Sequence, residues 1–249
     1  MDNLIKQVSK EILRANKIVA MTGAGISVES GIPPFRGKGG LWEKFDPMEY
    51  AHIQAFISNP EKVWHVLLRE MKAIIESSYP NAAHDGLARL EKLGKFITVI
   101  TQNVDGLHQQ AGNTDVVEFH GNFATYSCMD CHSERASNEI DLKEIPPRCP
   151  CGGIYRPDCV FFGETIPEDA MWRSQKAASE CDLMLVIGTS ALVQPASHIP
   201  LIAKRAGAII IEINPEPTPL TETITDYSLM GKAAPTVKNL INVIEDALK

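Results

Sequence analysis

One apolar run, residues 17–21, empties directly into Thr22-Gly23-Ala24-Gly25. A short buried strand ending on a glycine turn is the way α/β folds bring backbone amides up to a phosphate. Further apolar, β-rich runs follow at 96–100, 116–119, 183–187 and 208–213, the last two followed by Gly188 and by Pro215. Stretches of helical period lie between them, for example 196–205. Leu4, Val8, Ile12 and Leu13 place a helix before the first strand. Pro235 opens a last helix whose apolar face is Val237, Leu240, Ile241, Ile244 and Leu248. Strands alternating with helices imply a Rossmann-like, doubly wound parallel sheet.

Two segments interrupt this rhythm. Residues 33–80 are rich in Pro, Gly and aromatics, and residues 124–158 hold four cysteines and several prolines. Both read as insertions. The expected division is a large domain from about 1–34, 81–123 and 159–249, with a small domain built from 35–80 and a zinc module at 124–158.

At 249 residues with net charge −7, the chain has room for one sizeable core and too little excess basic charge for nucleic acid to be a main partner. No apolar run reaches about 18 residues, and the N-terminal stretch lacks a signal-peptide layout. A cytoplasmic, reducing setting is therefore expected. There, six cysteines serve more readily as metal ligands or buried thiols than as disulfides. Cys128-x-x-Cys131 and, after 17 intervening residues, Cys149-x-Cys151 suit a four-thiolate structural zinc. His132 and Cys159 are the weaker alternatives as ligands.

The glycine turn departs from the dehydrogenase fingerprint, whose third glycine would fall on Val28. Nucleotide binding fits, and hydride transfer is disfavoured. Thr101-Gln102-Asn103-Val104-Asp105 and Phe119-His120-Gly121 each follow an apolar strand, where α/β sheets place ligands. A histidine at such a strand end is a candidate general base.

Gly23-Ala24-Gly25-Ile26-Ser27, Gly31-Ile32-Pro33-Pro34-Phe35-Arg36, Thr101-Gln102-Asn103-Val104-Asp105 and the cysteine pairs together resemble the sirtuin family. Position 34, most often acidic in that motif, is Pro34 here, and the second cysteine pair is one residue shorter than the common sirtuin spacing. The resemblance runs from about Asn16 to Leu248. It implies an NAD-dependent protein lysine deacetylase that yields nicotinamide, deacetylated lysine and O-acetyl-ADP-ribose. His120 and Asn103 would be catalytic. Gly23, Ala24, Gly25, Val28, Phe35, Arg36, Gln102, Asn103, Val104, Asp105, Gly188, Thr189, Ser190, Asn214 and Ala233 would face NAD. Cys128, Cys131, Cys149 and Cys151 would hold zinc. Val160, Phe161, Phe162 and Gly163 would meet an acetyl-lysine protein or peptide, with no nucleic acid or membrane involved and the chain acting as a monomer. Two rivals share these motifs: mono-ADP-ribosyl transfer or NAD hydrolysis in the same pocket, and a non-catalytic NAD-sensing zinc ribbon.

Gly39-Gly40-Leu41-Trp42 and Val63-Trp64 resemble a sirtuin subgroup that includes desuccinylases. Those enzymes hold the acyl carboxylate with a Tyr and an Arg, and the matching positions here are Leu67 and Glu70. Arg69, one position off, would point about 100° away on a regular α-helix. Acetyl-lysine is therefore expected to be preferred over succinyl-lysine.

Overall fold

The computed structural model describes residues 2–37 and 39–249. In chain order the strands are β1 (Lys17–Thr22), β2 (Phe96–Thr101), β3 (Val116–Glu118), β4 (Gly121–Cys128), β5 (Glu134–Ala136), β6 (Tyr155–Cys159), β7 (Leu183–Ile187), β8 (Ile209–Asn214) and β9 (Tyr227–Met230). Six of them form a parallel sheet in the order β3-β2-β1-β7-β8-β9. The chain builds outward from β1 on one side, then returns to its other edge with β7. Strand order therefore reverses between β1 and β7, and a parallel sheet opens a crevice beyond the carboxyl ends at such a point.

Alternation along the strands divides the core. Ile18, Ala20, Leu183, Leu185, Ile187, Ile211 and Ile213 face the helices Asp2–Arg14, Ala82–Lys92 and Ala233–Ala247. Val19, Met21, Met184, Val186 and Ile210 face Glu168–Glu180 and Ile199–Arg205. Burial on both faces explains why these strands are mostly apolar runs rather than alternating ones. The expected strands fall where they were read, within a residue at their ends. β9 went unread because it is a short edge strand with a polar Ser228. The last helix begins at Ala233, so Pro235 sits inside its first turn, where a missing N–H costs nothing.

The second sheet, β5-β4-β6, is antiparallel. It shares a separate core with the helical insert through Phe56, Val63, Trp64, Leu68, Phe123, Tyr126, Tyr155 and Phe161. Trp64 Nε1 donates to Tyr155 O at 3.0 Å, and the buried Lys72 ammonium donates to Ser137 O at 2.8 Å and Ser137 Oγ at 2.9 Å. Segments far apart in sequence thus make one small layer. β4 and β6 straddle the boundaries expected at 123/124 and 158/159. Residues 33–80 carry more helix than their composition suggested. Asp46 and Asn59 cap helices that begin at Pro47 and Pro60, accepting from Met48 N at 2.8 Å and Lys62 N at 3.0 Å. Among the described residues no helix is long and apolar enough to cross a membrane.

Candidate active site

The crevice between β1 and β7 is floored by two loops in direct contact. Gly23 N donates to Ile187 O at 3.0 Å and Gly25 N to Gly188 O at 2.8 Å. A Cβ on Gly25 would lie 2.6 Å from Gly188 Cα, and one on Gly188, whose φ is +62°, would lie 2.4 Å from Ile26 N. The glycines therefore do more than the sequence reading assigned them: they let two strand-end loops abut and so shape the floor itself. Ala24 opens a short 3-10 turn, Ala24–Ile26, and Val28 opens another, Val28–Ser30. Phe35 stacks on Trp42 with ring centroids 5.3 Å apart, and Arg36 is exposed beside it.

Four strand ends are tied together across this floor. Gln102 Nε2 donates to Thr189 Oγ1 at 2.9 Å, and Asn214 Nδ2 donates to Thr189 O at 2.8 Å. Gly231 N reaches Asn214 O at 3.0 Å. Ser190 is exposed at the rim, and Ala233 is buried at the start of its helix, whose next amide, Ala234 N, donates to Glu29 Oε2 at 3.2 Å.

A second network centres on Ser27. Its hydroxyl donates to Asp105 Oδ2 at 2.7 Å and accepts from Asn103 Nδ2 at 3.0 Å. Asp105 Oδ1 accepts from Leu107 N at 3.0 Å, while Val104 O accepts from Phe123 N at 3.0 Å. The motif around Ser27 gives it no role of its own in the sequence, and no local pattern marks His84. His84 Nδ1 accepts from Asn81 N at 3.2 Å, which leaves Nε2 3.5 Å from Ser27 Oγ. These partners lie 57 and 78 positions from Ser27, a separation no local pattern reveals.

His120 closes the crevice at the end of β3. Its Nδ1 lies 3.1 Å from Gln102 O. A carbonyl only accepts, so the proton sits on Nδ1 and Nε2 keeps its lone pair. Burial holds the pKa below the ordinary histidine value, against the pull of that carbonyl. The result is a neutral imidazole with a fixed tautomer and one free basic nitrogen, the state a general base requires.

Residues 23–195 match the profile described as the Sir2 family. The chain belongs to that family, the sirtuins. It is 43% identical over 249 residues to NAD-dependent protein deacylase 1 of Archaeoglobus fulgidus, covering 98% of this chain and 99% of that protein. Among solved structures it is similar to a Sir2 homolog–NAD complex, with TM-score 0.89 and 43% identity over 98% and 94% of the two chains. A Sir2–p53 peptide–NAD+ complex matches with TM-score 0.88 and 32% identity over 98% and 99%.

In this sirtuin the segment Val160–Gly163 follows β6. Phe162 N donates to Ala51 O at 2.9 Å and Phe162 O accepts from Ile53 N at 3.0 Å, so the segment is already stitched to the helical insert. Val160 N donates to His120 O at 2.9 Å. Phe162 faces Trp42, with centroids 6.3 Å apart, and Gly163, with φ +86°, turns against His52. Phe161 is different: its ring is buried in the small core, 5.3 Å from Phe56, and its N–H is spent on Glu164 Oε2 at 2.8 Å. Arg156 grips both Glu164 oxygens, at 2.6 and 2.8 Å, and holds the segment closed.

The four cysteines meet at the end of β4, with Cys131 in the turn after it and Cys149 and Cys151 in the loop before β6. Their Sγ atoms all lie within 4.8 Å of one another, with Cys128–Cys151 at 3.5 Å and Cys131–Cys149 at 3.6 Å. Tetrahedral zinc with bonds of about 2.3 Å sets its sulfurs roughly 3.8 Å apart, so this set fits the ion. The shortened Cys149-x-Cys151 pair reaches the cluster without help, and neither His132 nor Cys159 belongs to it. The Cys151 amide and the Ser133 hydroxyl stabilise the Cys149 thiolate, drawing its pKa down to about 5.

Behind Ser27 lies a pair of buried histidines. His84 and His108 meet edge to face, centroids 4.9 Å apart. Thr22 Oγ1 donates to Thr101 Oγ1 at 3.0 Å, so it accepts from His108 Nε2 at 2.9 Å. His108 is in the helix Leu107–Ala111 and 1% exposed. Burial pulls His84 down to about 4, against the nearby carboxylates of Asp105 and Asp85, and pulls His108 down to about 3 with His84 adding to the effect. Unfolded, both take a proton near 6.5, which the folded chain refuses until the lower values. Their contribution to stability is complete above pH 6.5 and is lost as pH falls towards 4 and 3, at about 1.4 kcal/mol per pH unit per histidine. Urea unfolding at pH 7 and pH 5 should show this fall, and His108→Gln should flatten it by about one proton. Equal slopes for wild type and variant would contradict the assignment.

Proposed function

We propose that the chain is an NAD-dependent protein lysine deacetylase, and that its zinc is structural. The observation that carries this reading is the free Nε2 of His120, fixed by Gln102 O at the mouth of the crevice where the Ser27 and Thr189 networks converge.

NAD, consumed in each turnover, supplies the ADP-ribosyl group that takes up the acetyl group as nicotinamide leaves. The residues present suit it. Gly23, Ala24, Gly25, Val28, Arg36, Thr189 and Ser190 line the phosphate side, and Asn214 and Ala233 the adenosine side. Asp105 and the Val104 backbone receive the carboxamide, and Asn103 orients ribose and water. Phe35 covers the nicotinamide end. His120 Nε2 takes a proton from a ribose hydroxyl, which prepares that oxygen to receive the acyl group. Holding the weakly nucleophilic amide oxygen in line supplies much of the rate. Cys128, Cys131, Cys149 and Cys151 fill all four zinc positions, so the ion has no open site for chemistry.

The acetyl-lysine peptide lies between the large domain and the small layer of helical insert and β5-β4-β6 sheet, along Val160, Phe162 and Gly163, with Phe161 anchoring the segment from the small core. The chain works as a cytoplasmic monomer on proteins or peptides, without nucleic acid or membrane. Consumption of NAD in step with deacetylation of an acetyl-lysine peptide tests this reading. ADP-ribose transfer to protein, or nicotinamide release without deacetylation, would favour its rivals.

The acyl preference follows from the insert. Leu67 is 3% exposed and offers no hydrogen bond, while Arg69 and Glu70 are both exposed. Arg69 and Glu70 open the α-helix Arg69–Ser77, so the 100° step holds between them, while the π-turn Trp64–Leu68 before them alters their spacing from Leu67. Neither charge is buried beside Leu67, which supports a preference for uncharged acyl groups. A buried succinyl carboxylate without its partner costs several kcal/mol, so kcat/KM for acetyl peptides should exceed that for matched succinyl peptides by at least about a hundredfold. Equal turnover would refute it.

A further inference from the structure

Glu212 sits in the middle of β8, 1% exposed, and takes no part in the chemistry above. Three threonine hydroxyls from the connection after the strand donate to it. Thr218 Oγ1 reaches Oε1 at 2.5 Å, Thr221 Oγ1 reaches Oε2 at 2.5 Å, and Thr225 Oγ1 reaches Oε2 at 3.2 Å. A carboxylate this deep is tolerated only when its lone pairs are filled, and an acceptor-only group is suited to gathering several hydroxyls at one point. Thr218 and Thr221 also cap the helix Pro219–Thr223: Leu220 N donates to Thr218 Oγ1 at 3.1 Å and Thr218 N to Thr221 Oγ1 at 2.9 Å.

Two residues beyond Glu212 on the same strand is Asn214, held by Thr189 O and Gly231 N at 2.8 and 3.0 Å. The exposed residues Pro215, Glu216 and Pro217 therefore span two clamps, with Asn214 at one end and Thr218, bound to Glu212, at the other. That span leaves the carboxyl end of a strand next to the switch point, where α/β sheets receive ligands.

We propose that Glu212 is a positioning residue for the dinucleotide: by drawing Thr218, Thr221 and Thr225 onto β8 it sets the Asn214–Pro217 stretch against the adenosine half. The inference rests on the NAD reading above. Glu212 does not touch the reacting atoms, so its loss should weaken dinucleotide binding and leave the chemical step alone.

Glu212→Leu and Glu212→Gln should be compared with wild type by ADP-ribose calorimetry and by steady-state kinetics. Glu212→Leu is expected to weaken ADP-ribose and raise the KM for NAD about tenfold. Its kcat and peptide KM should stay within about twofold of wild type, as the general magnitude of a lost but remote hydrogen-bond cluster implies. Glu212→Gln, which still accepts from Thr218, should recover most of the affinity. If Glu212→Leu does not fold, Thr225→Val removes one peripheral donor and should raise the NAD KM about two- to threefold. Wild-type ADP-ribose affinity in whichever of these variants folds would overturn the proposal. So would kcat and peptide KM worsening in step with the NAD KM, because that pattern marks general loosening. Failure of the wild-type protein itself to bind ADP-ribose would instead overturn the NAD reading.

Discussion

His120→Ala is expected to lower kcat for deacetylation by about 10²–10⁴-fold, the usual cost of losing a general base. Affinity for NAD should stay within a few-fold of wild type. On the proposed reading the two effects separate, because the ring would contribute its Nε2 to chemistry, whereas the ties from Gln102 to Thr189 to Asn214 form without it. The pH profile carries an independent signature. Burial lowers the His120 pKa, so the imidazole stays neutral as pH falls through the ordinary histidine range. Activity limited by this base should therefore persist below pH 6.5, with its acid limb displaced downward. Activity in His120→Ala within a few-fold of wild type, with chemistry limiting, would remove the histidine from the mechanism.

Loss of zinc should be the largest effect on stability. One zinc per chain is expected, and Cys149→Ala should abolish tight binding and lower Tm by on the order of 10 °C or more, with a fall in solubility. The cluster ties β4 to the loop before β6, and both belong to the core shared with Phe56, Val63 and Trp64 of the helical insert. Damage should therefore spread from the cysteines to the segment that carries Phe162, and the peptide KM should rise before NAD affinity does. Metal analysis and thermal unfolding test this together. A metal-free protein with wild-type Tm would refute the structural role.

The parallel sheet was legible because burial on both faces makes its strands mostly apolar, with a few satisfied exceptions such as Glu212. The run 183–187 is apolar throughout for that reason. β9 was not legible: at a half-buried edge, Tyr227–Met230 has no strong pattern to show. The helical insert hid behind its prolines, although Asp46-Pro47 and Asn59-Pro60 were readable as helix starts. Within the site, Gln102, Asn103, Asp105 and His120 could be found because each follows a strand, where polar side chains have no core to fill. Ser27 and His84 could not be assigned roles, since both depend on partners brought together by the sheet. The glycines were read towards a ligand, yet Gly25 and Gly188 are also required by each other. Phe161 shared a motif with Phe162, but alternation turned it into the small core.

The most direct test of the central claim is the product ratio. An acetyl-lysine peptide should be incubated with the enzyme and NAD, and nicotinamide, deacetylated peptide and O-acetyl-ADP-ribose measured over the same interval. Equal amounts of all three are expected, with none formed when NAD is withheld. Free acetate released without NAD consumption, or ADP-ribose accumulating while the peptide keeps its acetyl group, would contradict the account.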